Sequence, residues 1–171
     1  MTDADRFLGK YRGLVVNNLD PMQMGRIQAI VPDVAGTMLS SWAMPCVPVA
    51  GMTMGLYTVP PIGSGVWIEF EHGDSDYPIW TGCFWGSSSE VPSLAKTVPP
   101  VLFGFTLQTQ GQNGLSVNDL PGPTGGIMLK SASGASIVVN DTGIYITNGQ
   151  GASVTLSGPT VNVNNGAFSV T

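Results

Sequence analysis

Charge is scarce in this sequence. Only 10 % of its 171 residues are Asp, Glu, Lys or Arg, against about 25 % in an ordinary soluble domain. Six basic residues face eleven acidic ones, for a formal charge of −5. No basic stripe exists to follow a phosphate backbone, so nucleic acid is excluded as a natural partner. One histidine, His72, cannot supply every role of a Ser/His/Asp set, nor a Cys/His zinc site with two cysteines that form no CxxC pair. Cys46 and Cys83 read as free, buried thiols. No run approaches the roughly 20 apolar residues that span a bilayer. The start, "MTDADRFLGKYRG", lacks the apolar core of a secretory leader. Together these absences predict a soluble protein made in a cytoplasm, without cofactor, metal or catalytic residues.

What is present is glycine, proline and short apolar alternation. Length allows one domain or two small ones. "RGLVVNN" and "GRIQAIVP" are strand-like runs joined by turn residues, and in "GVWIEFEHGD" Val66, Ile68 and Phe70 alternate with Trp67, Glu69 and Glu71. "DYPIWTGCFWG" adds another strand. Several short strands in under 90 residues suit an OB-like barrel, or a small barrel of SH3 type. Residues 11–86 form this domain, residues 1–10 a mixed-charge docking segment, and "GSSSEVPSLAKTVPP" supplies an unpacked linker over 87–100.

From Val101 the pattern becomes regular. Apolar pairs recur at Phe105/Leu107, Leu115/Val117, Ile127/Leu129, Ile137/Val139, Ile144/Ile146, Val154/Leu156, Val161/Val163 and Phe168/Val170. Each pair marks one face of a short strand, and Gly, Asn, Asp or Ser fills almost every break. The few strands in residues 101–171 cannot close a single-chain solenoid, which spends roughly 18 or more residues on each coil. Three copies winding together can, with these sixteen side chains as a shared trimer core. The other face is expected to be Ser, Thr, Asn and Gln. Axial hydrogen bonds between interleaved chains would stiffen such a rod.

Four blocks, "YRGLVVNNLDPMQMGRIQAIVPDV", "WAMPCVPVAG", "VPPIGSGVWIEFEHGDSDYPIWTGCFWG" and "GASIVVNDTGIYITNGQGASVTLSGPTVNVNNGA", resemble the phage baseplate assembly protein V and VgrG-type spike family. The resemblance covers nearly the whole chain. It implies an all-β protein: an OB-fold followed by an intertwined triple-stranded β-helix in a homotrimer. It implies a structural spike at the centre of a contractile tail or injection machine, assembled in the bacterial cytoplasm and carried in the particle's baseplate. Inner-tube or hub rings would meet the OB end, other baseplate components would surround it, and the needle would transiently meet the target cell envelope.

Two elaborations of that family are missing. The linker holds one acid, Glu90, too few for the paired carboxylates of a lysozyme domain. No histidine follows His72, so no His-x-His metal site closes the needle. The blunt end, Ala167, Phe168, Ser169, Val170 and Thr171, would either bind a PAAR-type tip protein or close on itself. The rival function is a carbohydrate-binding phage adhesin or tailspike, which would need groove carboxylates that this tail lacks. Three local readings also stay open. His72 sits among Glu69, Glu71, Asp74 and Asp76 as a site or as a solvated turn. The four tryptophans, Trp42, Trp67, Trp80 and Trp85, form a sugar platform or fill the barrel and its contacts. Met22, Met24, Met38, Met44, Met52 and Met54 line an adaptable docking surface or a core.

Overall fold

A computed structural model describes residues 6–170. The chain divides into two compact units, Met1–Glu90 and Val91–Thr171, and both are built of strands.

The first unit holds β1 (Tyr11–Asn17), β2 (Gln28–Ile30), a single helical turn α1 (Pro32–Ala35), β3 (Met44–Pro45), the small hairpin β4 (Ala50–Gly51) and β5 (Met54–Gly55), then β6 (Gly65–Phe70) and β7 (Pro78–Phe84). Its main sheet runs β2-β1-β6-β7-β3. The segment before β3 returns to β2 through the bridges Ile30↔Leu39 and Ile27↔Ala43. β3 itself lies parallel to β7. The sheet thereby closes on itself, leaving no long open edge among the described residues. Alternation in β6 works as its period of two requires: Val66, Ile68 and Phe70 are buried, and Trp67 and Glu69 are not. With Val15, Ile27, Ala29, Val31, Ala43 and Trp80 they form one core.

Of the four tryptophans only Trp80 fills the barrel, donating its indole N–H to the Gly25 carbonyl at 3.0 Å. Trp42 lies beneath the Arg26 guanidinium, Trp67 beneath Arg12, and Trp85 is exposed. Both cysteines are free but exposed, contrary to the expectation of buried thiols. Each lies on the outer side of a barrel already filled by β-branched and aromatic residues.

The second unit is one antiparallel meander of eight strands in sequence order. These are β8 (Gly104–Gln108), β9 (Gly114–Asn118), β10 (Gly126–Lys130), β11 (Ser136–Asn140), β12 (Gly143–Thr147), β13 (Ser153–Ser157), β14 (Thr160–Val163) and β15 (Phe168–Val170). Every strand pairs with its sequence neighbour, so the hydrogen bonds that stack the strands lie inside one chain. Axial bonds between interleaved chains were the expectation. Connections as short as Asp141–Thr142 make hairpins instead, because adjacent strands can pair before any second chain arrives. Glycine is required where β10 begins: Gly126 has φ +85°, and a Cβ there would strike the Val139 carbonyl oxygen.

Residues 87–100 are not an unpacked tether. They contain single 3-10 turns at Ser88–Glu90 and Ala95–Thr97. Within the second unit Leu94 is buried and lies against Gly114, its N–H bonded to the Gln108 side chain at 3.0 Å. Val98 packs on Gly104, and Asp119 N–H reaches the Phe103 carbonyl. Residues 94–103 thus lie as a strap over one face of β8 and β9, where Ser116 is only 1 % exposed.

Candidate functional site

The eight apolar pairs fall on one face of the meander. Register places Phe105, Val117, Ile127, Val139, Ile144, Leu156, Val161 and Val170 directly opposite one another in succession. Leu107, Leu115, Leu129, Ile137, Ile146, Val154, Val163 and Phe168 form a second, parallel column. Two uninterrupted apolar columns thus cross eight strands, over roughly 34 Å at about 4.8 Å per strand step. Cross-strand contact of this kind contributes about 0.2–1 kcal/mol per pair.

That contact does not cover the side chains. Phe105, Leu107, Ile127, Leu129, Ile137, Ile146 and Phe168 all remain more than two-fifths exposed. The face is hollowed by a concavity of about 500 Å³ lined by Leu107, Leu115, Leu129, Ile137 and Ile146. A contiguous apolar surface of this length marks an interaction face. The column side chains are all aliphatic or phenylalanine, the composition of a protein interior.

The reverse face differs from the polar surface expected of it. Its central column runs Thr106, Ser116, Met128, Val138, Tyr145, Thr155 and Asn162. Met128, Val138 and Tyr145 interrupt the polar series, and the Tyr145 hydroxyl lies 2.8 Å from that of Thr142.

At the far end, β15 pairs only with β14, through Val161↔Val170, Asn162↔Ser169 and Val163↔Phe168. Its other edge is open among the described residues, with Phe168 and Val170 exposed. Ala167 precedes the strand and donates its N–H to the Asn164 carbonyl. Thr171 lies outside the described residues, as do residues 1–5 of the docking segment. The remainder of that segment folds onto its own barrel. Phe7 stacks with Tyr11 and Phe70, and Lys10 reaches Glu69 at 2.7 Å.

The first unit presents no comparable site around His72 among the described residues. That residue occupies a turn with φ +54°, and Asp74 is occupied in bonding the Asp76 N–H. Among the described residues no group of three or more His, Cys, Asp or Glu could hold a metal. Met22, Met24, Met38, Met44, Met52 and Met54 are all exposed, so none of them fills the core.

One arrangement there escaped sequence reasoning. The Asp20 carboxylate, almost wholly buried, accepts N–H bonds from Arg26 Nη2 at 2.6 Å and Nε at 3.1 Å. It also accepts the backbone N–H of Met22, Met24 and Arg26. The Arg26 guanidinium foremost, helped by those N–H donors against the cost of burial, holds Asp20 well below the usual carboxylate range. The "DPMQMG" loop is therefore tied to Asp20 at several points, with Met22 and Met24 left exposed. The Asp-Pro dipeptide and a lone arginine six residues on were the available signal.

The chain thus joins a closed five-stranded barrel to a meander with one open apolar face, the make-up of a strand-built structural protein. Residues 11–85 match the type VI secretion system/phage-baseplate injector OB domain. Residues 104–169 match the phage baseplate V C-terminal trimerisation domain. The chain belongs to the phage baseplate V family, as a structural component of a phage or injection-system particle whose C-terminal domain supports a homotrimer. A search of curated proteins found no match.

Proposed function

We propose that three copies pack their apolar faces together into a needle that concentrates the force of a contracting sheath on the target envelope. In this reading the sixteen column residues are the trimer core, and no reaction is performed. The observation that carries it is the pair of unbroken apolar columns left half-exposed in the single chain. Covering them is the available route to burial, since each fully buried aliphatic side chain contributes about 1.5–3 kcal/mol. Because the strand-stacking hydrogen bonds are intrachain, the copies meet through side chains, and bending the needle must break both kinds of contact.

The OB unit would provide a threefold platform on which hub and inner-tube rings start to assemble in the bacterial cytoplasm. Its exposed methionines, some on the loop tied to Asp20, suit an adaptable contact with those rings. Residues 11–86 and 101–171 would be the two functional parts. At the β15 end, the open edge around Ala167–Val170 offers strand pairing and an apolar seat to a separate PAAR-type cone.

Electron microscopy of particles from cells producing the Ile137→Asp/Ile146→Asp chain tests this. Particles with tubes should be absent or rare, and abundant with the parent chain. Normal numbers of particles that deliver normally would sink the proposal.

A further inference from the structure

Only three charged residues follow residue 97: Asp119, Lys130 and Asp141. The meander sorts them by margin. Connections 109–113, 131–135, 148–152 and 164–167 lie along one margin of the sheet, and 119–125, 141–142 and 158–159 along the other. Lys130, the last residue of β10, stands at the first margin. Asp119 and Asp141 stand at the second, directly after β9 and β11, the two strands that flank β10. Their two connections touch, since Gly122 donates its N–H to Asp141 at 3.2 Å. The two carboxylates therefore share one stretch of margin, at the level of Lys130.

Within the chain they cannot meet. Lys130 pairs with Ser136, and five further residues at about 3.3 Å each put Asp141 roughly 16 Å away. Lys130 is exposed. Among the described residues it has no ion pair, and Asp119 makes no side-chain bond. In a closed threefold ring each copy presents one margin to the opposite margin of the next. We propose that Lys130 of each copy pairs with Asp119 and Asp141 of its neighbour, so that the second copy is recognised by charge at three equivalent corners. This rests on the trimeric reading and adds to it a register.

Register needs such a device. The columns are nearly uniform in Val, Ile and Leu, so sliding one copy by two strands, which preserves strand direction, would still set six of its eight strands against equally apolar neighbours. Uniform faces specify register weakly. A two-strand slide toward β15 would bring Lys130 to the level of β12, one strand from Asp141 still but three from Asp119, so one of the two carboxylates loses its partner. Exposed ion pairs add little affinity, but they discriminate between otherwise equal pairings.

The test uses the full chain with Cys46→Ser and Cys83→Ser, carrying Lys130→Cys with either Asp119→Cys or Asp141→Cys. A short bis-maleimide replaces the ion pair, whose Cα separation exceeds disulfide reach. Denaturing gels should show covalent dimers and trimers with the double variants and none with the single ones. Lys130→Cys with Pro159→Cys reports the slipped register and should give little product. As a second measurement, Lys130→Glu should speed trimer dissociation at low salt, and Lys130→Glu/Asp119→Lys/Asp141→Lys should restore the parent rate. A native trimer that yields no covalent species, or that yields more of it with Pro159→Cys than with Asp119→Cys, would overturn the pairing. A native monomer would instead overturn the trimeric reading, and the pairing with it.

Discussion

Replacing Ile146 with alanine separates an interface from a solvated sheet surface. Ile146 stands opposite Ile137 on one side and Val154 on the other, and the lone chain leaves it 41 % exposed. If that exposure persisted in the particle, the change would cost under about 1 kcal/mol, the span of strand propensity. If two sister copies cover it, each copy loses a buried side chain at about 2 kcal/mol or more. Threefold symmetry places all three losses at one level of the core, for about 6 kcal/mol per trimer. At about 1.4 kcal/mol per factor of ten, the three-chain association constant should fall on the order of ten-thousandfold. Sedimentation across a range of concentrations reads this as dissociation at higher protein concentration than the parent. Thr155→Ala, on the reverse face, is the control and should leave the profile unchanged. Equal profiles for Ile146→Ala and the parent would refute the reasoning.

Three further outcomes are expected. Asp20→Asn should lower the melting temperature of the OB unit, and the parent should lose the same contribution only in strong acid. Because Asp20 titrates lower folded than unfolded, that contribution is fully present above about pH 3.9 and fades as pH falls below it. Gly126→Ala should destabilise the meander by more than about 1 kcal/mol, seen in thermal melts, because φ +85° and the Val139 carbonyl both oppose a side chain. Leu94→Ala should cost about 2–3 kcal/mol and speed proteolysis within residues 91–103, since the strap is held by that buried side chain.

The two columns were legible in the sequence residue by residue. A period of two fixes which side chains share a face, and short polar breaks fix where each strand ends. The barrel was legible for the same reason at Val66, Ile68 and Phe70. Partner choice was less accessible. Apolar spacing says that strands stack, not whether the neighbour comes from the same chain, and the intrachain hairpins follow from connection lengths as short as Asp141–Thr142. Composition hid the strap, because Ser, Pro and Gly around Leu94 read as loose chain although one leucine suffices to seat them. It also hid the Met128, Val138 and Tyr145 interruption, where single positions depart from an otherwise polar face. The Asp20–Arg26 clamp depends on a loop path that no periodicity encodes.

The central claim is that these columns become dry only between sister copies. Native mass measurement of the purified full chain at micromolar concentration tests it most directly. Three chains per particle, surviving dilution that would separate a weak complex, is the predicted result. A folded, protease-resistant single chain would contradict it.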